Sequence, residues 1–276
     1  MKGIVAMIDV LGVSHYSIEE CEHYLTEQKI LFEGLEQIKG ASLRSVHEMY
    51  YVSKNKDAIL NERHNAIYGD TIVICWPLNT AYSTDHFNKI NAIVFELRRI
   101  LTWGLEHQLL LRGCVSVGDY VFDDHSVLGP AIFDAHNWYE STDWFGIIFS
   151  PNARLWLEYV IEQEKRKGNL YLKENEKKIV PYSVPLNHRM KDIKNKEFLT
   201  VAWPYWYYYE SQNLYKIMDP ERIEETPKES FLHDLLKIPT SKDGETKINN
   251  SKIFFEWYSK KYPFEGSTTP NDSEPL

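Results

Sequence analysis

The chain opens on a nearly unbroken apolar run, GIVAMID (residues 3–9), closed by an acid. This pattern predicts a buried strand ending at Asp9. Residues 17–39 alternate charge with Leu, Ile and Phe at helical spacing and predict a helix. A short β-prone stretch, SVHEMYYVS (45–53), follows. In NAIYGDTIVICW (65–76) two β-rich arms flank Gly69-Asp70, the strongest hairpin signal in the chain, and Pro77 closes the second arm. Residues 84–108 predict one long amphipathic helix. LLLRGCVSVGDYVFDDHSVLG (109–129) predicts a strand, a turn at Asp123-Asp124 and a returning strand. A helix over 130–142, a strand over 146–150 and a helix over 153–167 are expected next.

The remainder has a different texture. Residues 163–178 and 189–197 are rich in Lys, Glu and Asn and predict solvated loops or helix ends. Strands are expected at 180–186 and 197–204, and WPYWYYY (203–209) reads as an aromatic wall of core or interface. Two amphipathic helices are expected near 220–237 and 249–261, before a small, polar, disordered tail. Strands, hairpins and helices mix along the first 150 residues, so the expected class is α+β rather than a doubly wound sheet.

Composition narrows the function classes. With 276 residues, 43% hydrophobic and 14% aromatic, the chain can bury a sizeable core and is too apolar for disorder. Net charge is -9, from 31 Lys+Arg against 40 Asp+Glu. That argues against a duplex nucleic-acid partner, which normally meets a basic face. It leaves room for a phosphate substrate, because a bound metal can supply local positive charge. No apolar run approaches the roughly 18 residues that span a bilayer. Asp9 interrupts the first run and no cleavage site follows, so a cytoplasmic location and no membrane partner are expected. Cys21, Cys75 and Cys114 lie far apart without C-x-x-C and read as buried reduced thiols. The ten histidines show no H-E-x-x-H spacing, and neither G-x-S-x-G nor a P-loop occurs.

The candidate chemistry is acidic. Asp9 ends an apolar strand, where a carboxylate is expensive to bury unless a metal or a donor compensates it. Asp70 sits at the tip of an apolar hairpin; taken alone it is an ordinary turn residue. If the first strand lies beside that hairpin, the two carboxylates meet at one end of the sheet. Two neighbouring acids repel, and such a pair normally persists around divalent cations.

These residues carry a resemblance. The D-[IV]-x-G ending of the first strand, then a hairpin carrying Gly-Asp, resembles the catalytic core of class III nucleotidyl cyclases. LLLRGCVSVGDYV resembles their strand LRIGIHTGPVV, and VLGPAIFDAHNWYES their strand-to-helix passage. More closely still, IDVLG, GDTIVI, LRG-x-[VI]-S-x-G, [FL]GPA-[IL]-x-x-A and the later VPL…WP pair resemble the bacterial Pycsar pyrimidine (uridylate and cytidylate) cyclases. The resemblance covers about residues 3–205.

It implies a catalytic domain over 1–205 with a mixed, mainly antiparallel sheet flanked by helices, a helical elaboration over 206–265 and a disordered tail over 266–276. It implies that Asp9 and Asp70 hold two Mg²⁺ or Mn²⁺ ions, with a backbone carbonyl near Val10 as a further ligand. The amides of Leu11, Gly12 and Val13 would cradle phosphate oxygens. The implied reaction forms a 3′,5′-cyclic nucleotide and pyrophosphate. The product would be a second messenger in anti-phage defence, read by a separately encoded effector, and the enzyme a homodimer.

Departures from the pattern shape the details. The purine cyclases carry Lys and Asp as base readers where this chain has Ala66 and Ser126, which favours UTP, less so CTP, over purines. Their transition-state Asn and Arg fall on Phe133 and Asn137. Arg112, and Arg98 or Arg99, are therefore candidates to meet the developing charge, and Tyr50 is a candidate to stack on the base. The alternative is a catalytically silent nucleotide-binding regulatory protein on the same fold. A palm-type oligonucleotide polymerase, which shares a two-acid site, is a more distant rival.

Overall fold

The strand predicted at the start of the chain, β1 (Lys2–Val10), runs through the interior of a seven-stranded sheet. The computed structural model describes residues 1–11, 17–37, 63–78, 83–123, 126–169, 172–187, 190, 193, 196–205, 207, 226–236 and 242–263. Helix α1 (Ile18–Gln37) follows β1, and the hairpin β2 (His64–Tyr68) and β3 (Thr71–Pro77) turns at Gly69-Asp70. Gly69 has φ 59°, the left-handed conformation a two-residue hairpin turn requires and glycine adopts without strain. Helix α2 (Ser83–Glu106) leads to β4 (Leu111–Asp119). The sheet order is β2-β3-β1-β4, then β7 (Gly146–Phe149), β9 (Glu197–Val201) and β8 (Ile179–Ser183). Only β4 and β7 pair in parallel; the other pairings are antiparallel. The fold is α+β with a mainly antiparallel sheet.

One expected strand is divided. The chain leaves the sheet at Tyr120, whose N–H bonds the Met1 carbonyl at 2.8 Å, and the turn belongs to a separate small hairpin. That hairpin is β5 (Val121–Phe122) and β6 (Val127–Leu128). Gly129, at φ 147°, returns the chain hard against β4. A Cβ there would come within 2.7 Å of the Asp119 oxygen and the Tyr120 Cα. The return opens helix α3 (Pro130–Tyr139), which starts with Pro where a helix has no N–H to lose.

Side chains alternate between the faces of the sheet. Ser116, on one face of β4, donates to Asp134 of α3 at 2.6 Å, so that face carries α3. Leu111, of opposite parity, packs at Gly104 of α2, so α2 covers the other face. Helix α4 (Pro151–Arg166) is capped by Ser150, whose Oγ accepts from the Ala153 amide. After the single turn α5 (Leu172–Asn175) and strands β8 and β9 come α6 (Pro227–Leu236) and α7 (Lys242–Lys261). The aromatic run contributes buried Trp203, Tyr205 and Tyr207. Phe231 of α6 and Phe255 of α7 stack on each other at 4.3 Å and lie 5.2 and 5.9 Å from the Trp203 ring, so both helices share the core of the sheet. Among the described residues no helix is long and apolar enough to cross a membrane. The stretch 45–53 and the tail 266–276 lie outside the described residues.

Candidate active site

Strand register builds the site. Asp9 pairs with Thr71 of β3 on one side and with Arg112 of β4 on the other. The three side chains thus form one row across the sheet, on the face that carries α3. Asp70 precedes Thr71 in the hairpin turn, which puts a second carboxylate beside the first. The Asp70 charge reaches Asp9 and helps raise its carboxyl above the ordinary value.

Helix α1 fixes the turn. The buried Tyr24 hydroxyl donates to the Asp70 carbonyl at 3.1 Å, and Gln28 Nε2 donates to the Gly69 carbonyl at 2.9 Å. Two residues one helical turn apart therefore grip consecutive turn carbonyls, leaving the Asp70 side chain half-buried.

Asp9 is only 7% exposed. Its Oδ2 accepts from Arg112 Nε at 3.1 Å and Nη2 at 3.0 Å, and its Oδ1 accepts a long 3.3 Å bond from the Thr71 hydroxyl. Burial pushes the Asp9 carboxyl above its ordinary value, and Arg112 pulls it back down only in part. The two oxygens differ: Oδ2 is fully engaged, whereas Oδ1 keeps a lone pair facing no protein donor among those described.

Arg112 itself is clamped. Its Nη1 donates to the Thr142 carbonyl at 3.4 Å, and its guanidinium lies 5.5 Å from the Tyr139 ring centroid. The residue expected to meet phosphate charge is committed to Asp9 in this structure.

The other expected residues fall in different places. The Leu11 amide, expected to face phosphate oxygens, donates to the Leu110 carbonyl at 2.8 Å. The β1–β4 ladder extends one residue further than the sequence suggested, and Leu11 is buried with it. Val10 is buried opposite Leu111. Arg98 is 1% exposed and lies 4.8 Å over the Tyr205 ring, inside the protein. Arg98, a candidate to meet the developing charge, thus lies among the core residues of α2. Arg99 packs 6.0 Å from the Phe95 ring. Ser126 is exposed in the β5–β6 turn, its amide bonded to Asp123 Oδ1 at 2.8 Å. Gly12, Val13 and Tyr50 lie outside the described residues.

Sequence reasoning missed Thr71, Tyr139 and Tyr68. The Tyr68 hydroxyl accepts the Val127 amide, tying the end of β2 to the hairpin that carries Ser126. Among the described residues no three acidic, histidine or cysteine side chains gather into a group that could hold a metal ion.

No family model and no curated protein matches the chain. Among solved structures it is similar to the catalytic core of a rhodopsin-guanylyl cyclase with converted specificity in complex with ATPalphaS. That match has 11% identity and a TM-score of 0.40, covering 72% of this chain and 94% of the other. It is also similar to the guanylate cyclase domain of RhGC from Catenaria anguillulae in complex with GTP, at 12% identity and a TM-score of 0.34, covering 72% and 93%.

Proposed function

We propose that the protein is a nucleotide cyclase that converts a pyrimidine triphosphate, UTP ahead of CTP, to its 3′,5′-cyclic monophosphate and pyrophosphate. One observation carries the reading: strand register brings Asp9 and Asp70, 61 residues apart in sequence, to one end of the sheet beside a single arginine. Two carboxylates against one guanidinium leave a net negative charge, and hard oxygen donors of this kind suit Mg²⁺ or Mn²⁺. The fit is specific at Asp9, where Oδ2 is tied to Arg112 and Oδ1 remains to face a cation.

A divalent ion held there would acidify the attacking ribose hydroxyl and stabilise charge on the phosphates. The 3′-oxygen attacks the α-phosphorus, and the bond to the bridging oxygen breaks to release pyrophosphate. The protein's own contribution is placement. Arg112 offsets part of the burial that raises the Asp9 carboxyl, and α1 holds the turn that carries Asp70.

Base selection follows from missing groups. Ala66 is buried on β2, on the same face as Tyr68, which joins that strand to the turn carrying Ser126. Neither position offers the charged readers that adenine or guanine meets in purine cyclases. A serine hydroxyl donates to O4 of uracil or accepts from N4 of cytosine. The homodimer, the separate effector and the anti-phage role belong to this same reading through the sequence resemblance.

The test is to incubate the protein with each of the four nucleoside triphosphates and Mn²⁺ and separate products by mass. Cyclic UMP or cyclic CMP is expected, and faster cyclisation of ATP or GTP would overturn the pyrimidine assignment. The commitment of Arg112 to Asp9 favours a second reading, a silent nucleotide-binding regulator. Tight triphosphate binding with no product from any of the four would establish it.

A further inference from the structure

Tyr68 stands at the outer end of the acidic row. Strand register pairs it with Thr71, Thr71 with Asp9, and Asp9 with Arg112. Directly paired residues leave a sheet on the same face, so all four side chains project on the face that carries α3. Thr71 and Asp9 are buried there, at 7% exposure each, whereas Tyr68 is 41% exposed. With neighbouring strands about 4.8 Å apart, Tyr68 springs from the sheet roughly 10 Å from Asp9, across one intervening strand.

The far end of the side chain is fixed. The Tyr68 hydroxyl accepts the Val127 amide and donates to the Val127 carbonyl over a long 3.5 Å. Val127 directly follows Ser126. On the same face of β2, His64 stacks on Phe122 of the β5–β6 hairpin at 4.4 Å, so the hairpin is seated over both ends of that strand. The Tyr68 ring therefore runs from the turn that carries Asp70 to the turn that carries Ser126. Its polar tip is engaged, and what it offers to solvent is aromatic surface. A ring tethered at both ends loses little freedom when a ligand settles on it.

That placement decides where a nucleotide base can lie. A triphosphate held at Asp9 and Asp70, with its base edge at Ser126, has the Tyr68 ring alongside the base. We propose that Tyr68 is the residue on which the pyrimidine of the bound triphosphate stacks. This rests on the cyclase reading above and deepens it, supplying a contact for the face of the base where Ser126 meets its edge. Stacking tolerates any base, because every base has a π-face. Tyr68 thus supplies affinity, and the choice between bases stays with Ala66 and Ser126.

The experiment measures binding to the full-length protein by equilibrium dialysis with Mn²⁺. The probes are the α,β-methylene analogues of UTP and CTP, in which carbon replaces the leaving oxygen, and inorganic triphosphate, which has no base. Thermal melts verify each variant. The wild type is expected to bind all three probes and Asp9→Ala to lose them. Tyr68→Val, β-branched and suited to its strand end, is expected to weaken both nucleotide analogues by the same factor, roughly fivefold to a hundredfold. Its affinity for inorganic triphosphate should stay within about twofold of the wild type, since that probe meets no stacking surface. Tyr68→Phe, which keeps the ring, should recover most of the loss. Tyr68→Leu is a second aliphatic replacement with the same expected outcome as Tyr68→Val. Nucleotide binding by the aliphatic variants equal to the wild type's overturns the stacking role, as does an equal loss of inorganic triphosphate. Equal losses in Tyr68→Phe and Tyr68→Val assign the effect to the hydroxyl tie and overturn it likewise. In each of these cases the two-carboxylate site stands. A wild type that binds none of the probes, or an Asp9→Ala variant that binds them equally, ends that site and the stacking role with it.

Discussion

Asp9 with Arg112 and Glu96 with Arg63 are both buried carboxylate–arginine pairs, one on each face of the seven-stranded sheet. Their surroundings are inverted. Beside Asp9 stands a second acid, Asp70, so two carboxylates face one guanidinium. Beside Glu96 stands a second base, Arg99, so two guanidiniums act on one carboxylate. The Arg63 side chain is 0% exposed, and its Nε and Nη2 lack hydrogen-bond partners among the described residues. The comparison separates two uses of the same chemistry. A surplus of negative charge at the end of the sheet, with one oxygen held only by a long bond from Thr71, can take up a cation. A closed pair under a helix, with cations in excess, fastens β2 to α2 and offers nothing to a ligand.

The largest expected contrast is in turnover. Asp9→Ala or Asp70→Ala should lower the rate to below about a thousandth, because a held metal supplies several kcal/mol of transition-state stabilisation. Circular dichroism should show both variants folded, and near-wild-type activity in either would remove the two-metal assignment. Glu96→Gln, by contrast, should leave the rate per folded molecule intact.

Stability should divide the other way. Arg63→Ala strands a buried carboxylate and is expected to cost about 3–5 kcal/mol in denaturant unfolding. Asp70→Ala, at a half-buried turn, should stay within about 0.5 kcal/mol. A loss below about 1 kcal/mol for Arg63→Ala would mean that the pair does not fasten the two elements. A smaller effect follows from replacing both partners. Glu96→Leu with Arg63→Met should recover most of the single-variant loss, since a buried ion pair is often no better than a packed apolar one.

The smallest effect is in pH dependence. Burial raises both the Glu96 and the Asp9 carboxyls above their ordinary values of 4.5 and 3.8. Above those values the folded protein binds more protons than the unfolded chain, so each group's stabilising contribution shrinks as pH rises through its folded value. Glu96→Gln should flatten that slope with or without Mn²⁺. The Asp9 share should vanish when Mn²⁺ is saturating, because the bound ion favours the carboxylate. An Mn²⁺-independent slope in the Glu96→Gln variant would undo the distinction between the two pairs.

What could be read from the sequence was local. The apolar run to Asp9, the Gly69-Asp70 turn and the alternation of 65–76 each carry their own signal, and the structure realises them as β1, β2 and β3. The Arg112–Asp9 bond has no such signal, because it depends on a register between residues 103 apart. Tyr139 left only a weak sign, the i, i+3 spacing from His136 on one helix face. The burial of Arg98 was legible and overlooked. It stands four residues after Val94 and three before Leu101, within the apolar stripe of α2. Likewise, the break at Tyr120 is set by a bond to Met1 that no local pattern announces.

The central place of β1 also shapes how the molecule is made. Its partners Thr71 and Arg112 lie 62 and 103 residues further along the chain. At a synthesis rate of roughly 5–20 residues per second, the strand waits about 5–20 seconds for its second neighbour. Throughout that interval seven consecutive buried positions, Ile4 through Val10, have only one side of their ladder or none. The acidic site thus cannot close before Arg112 has emerged, although Asp9 is among the first residues made.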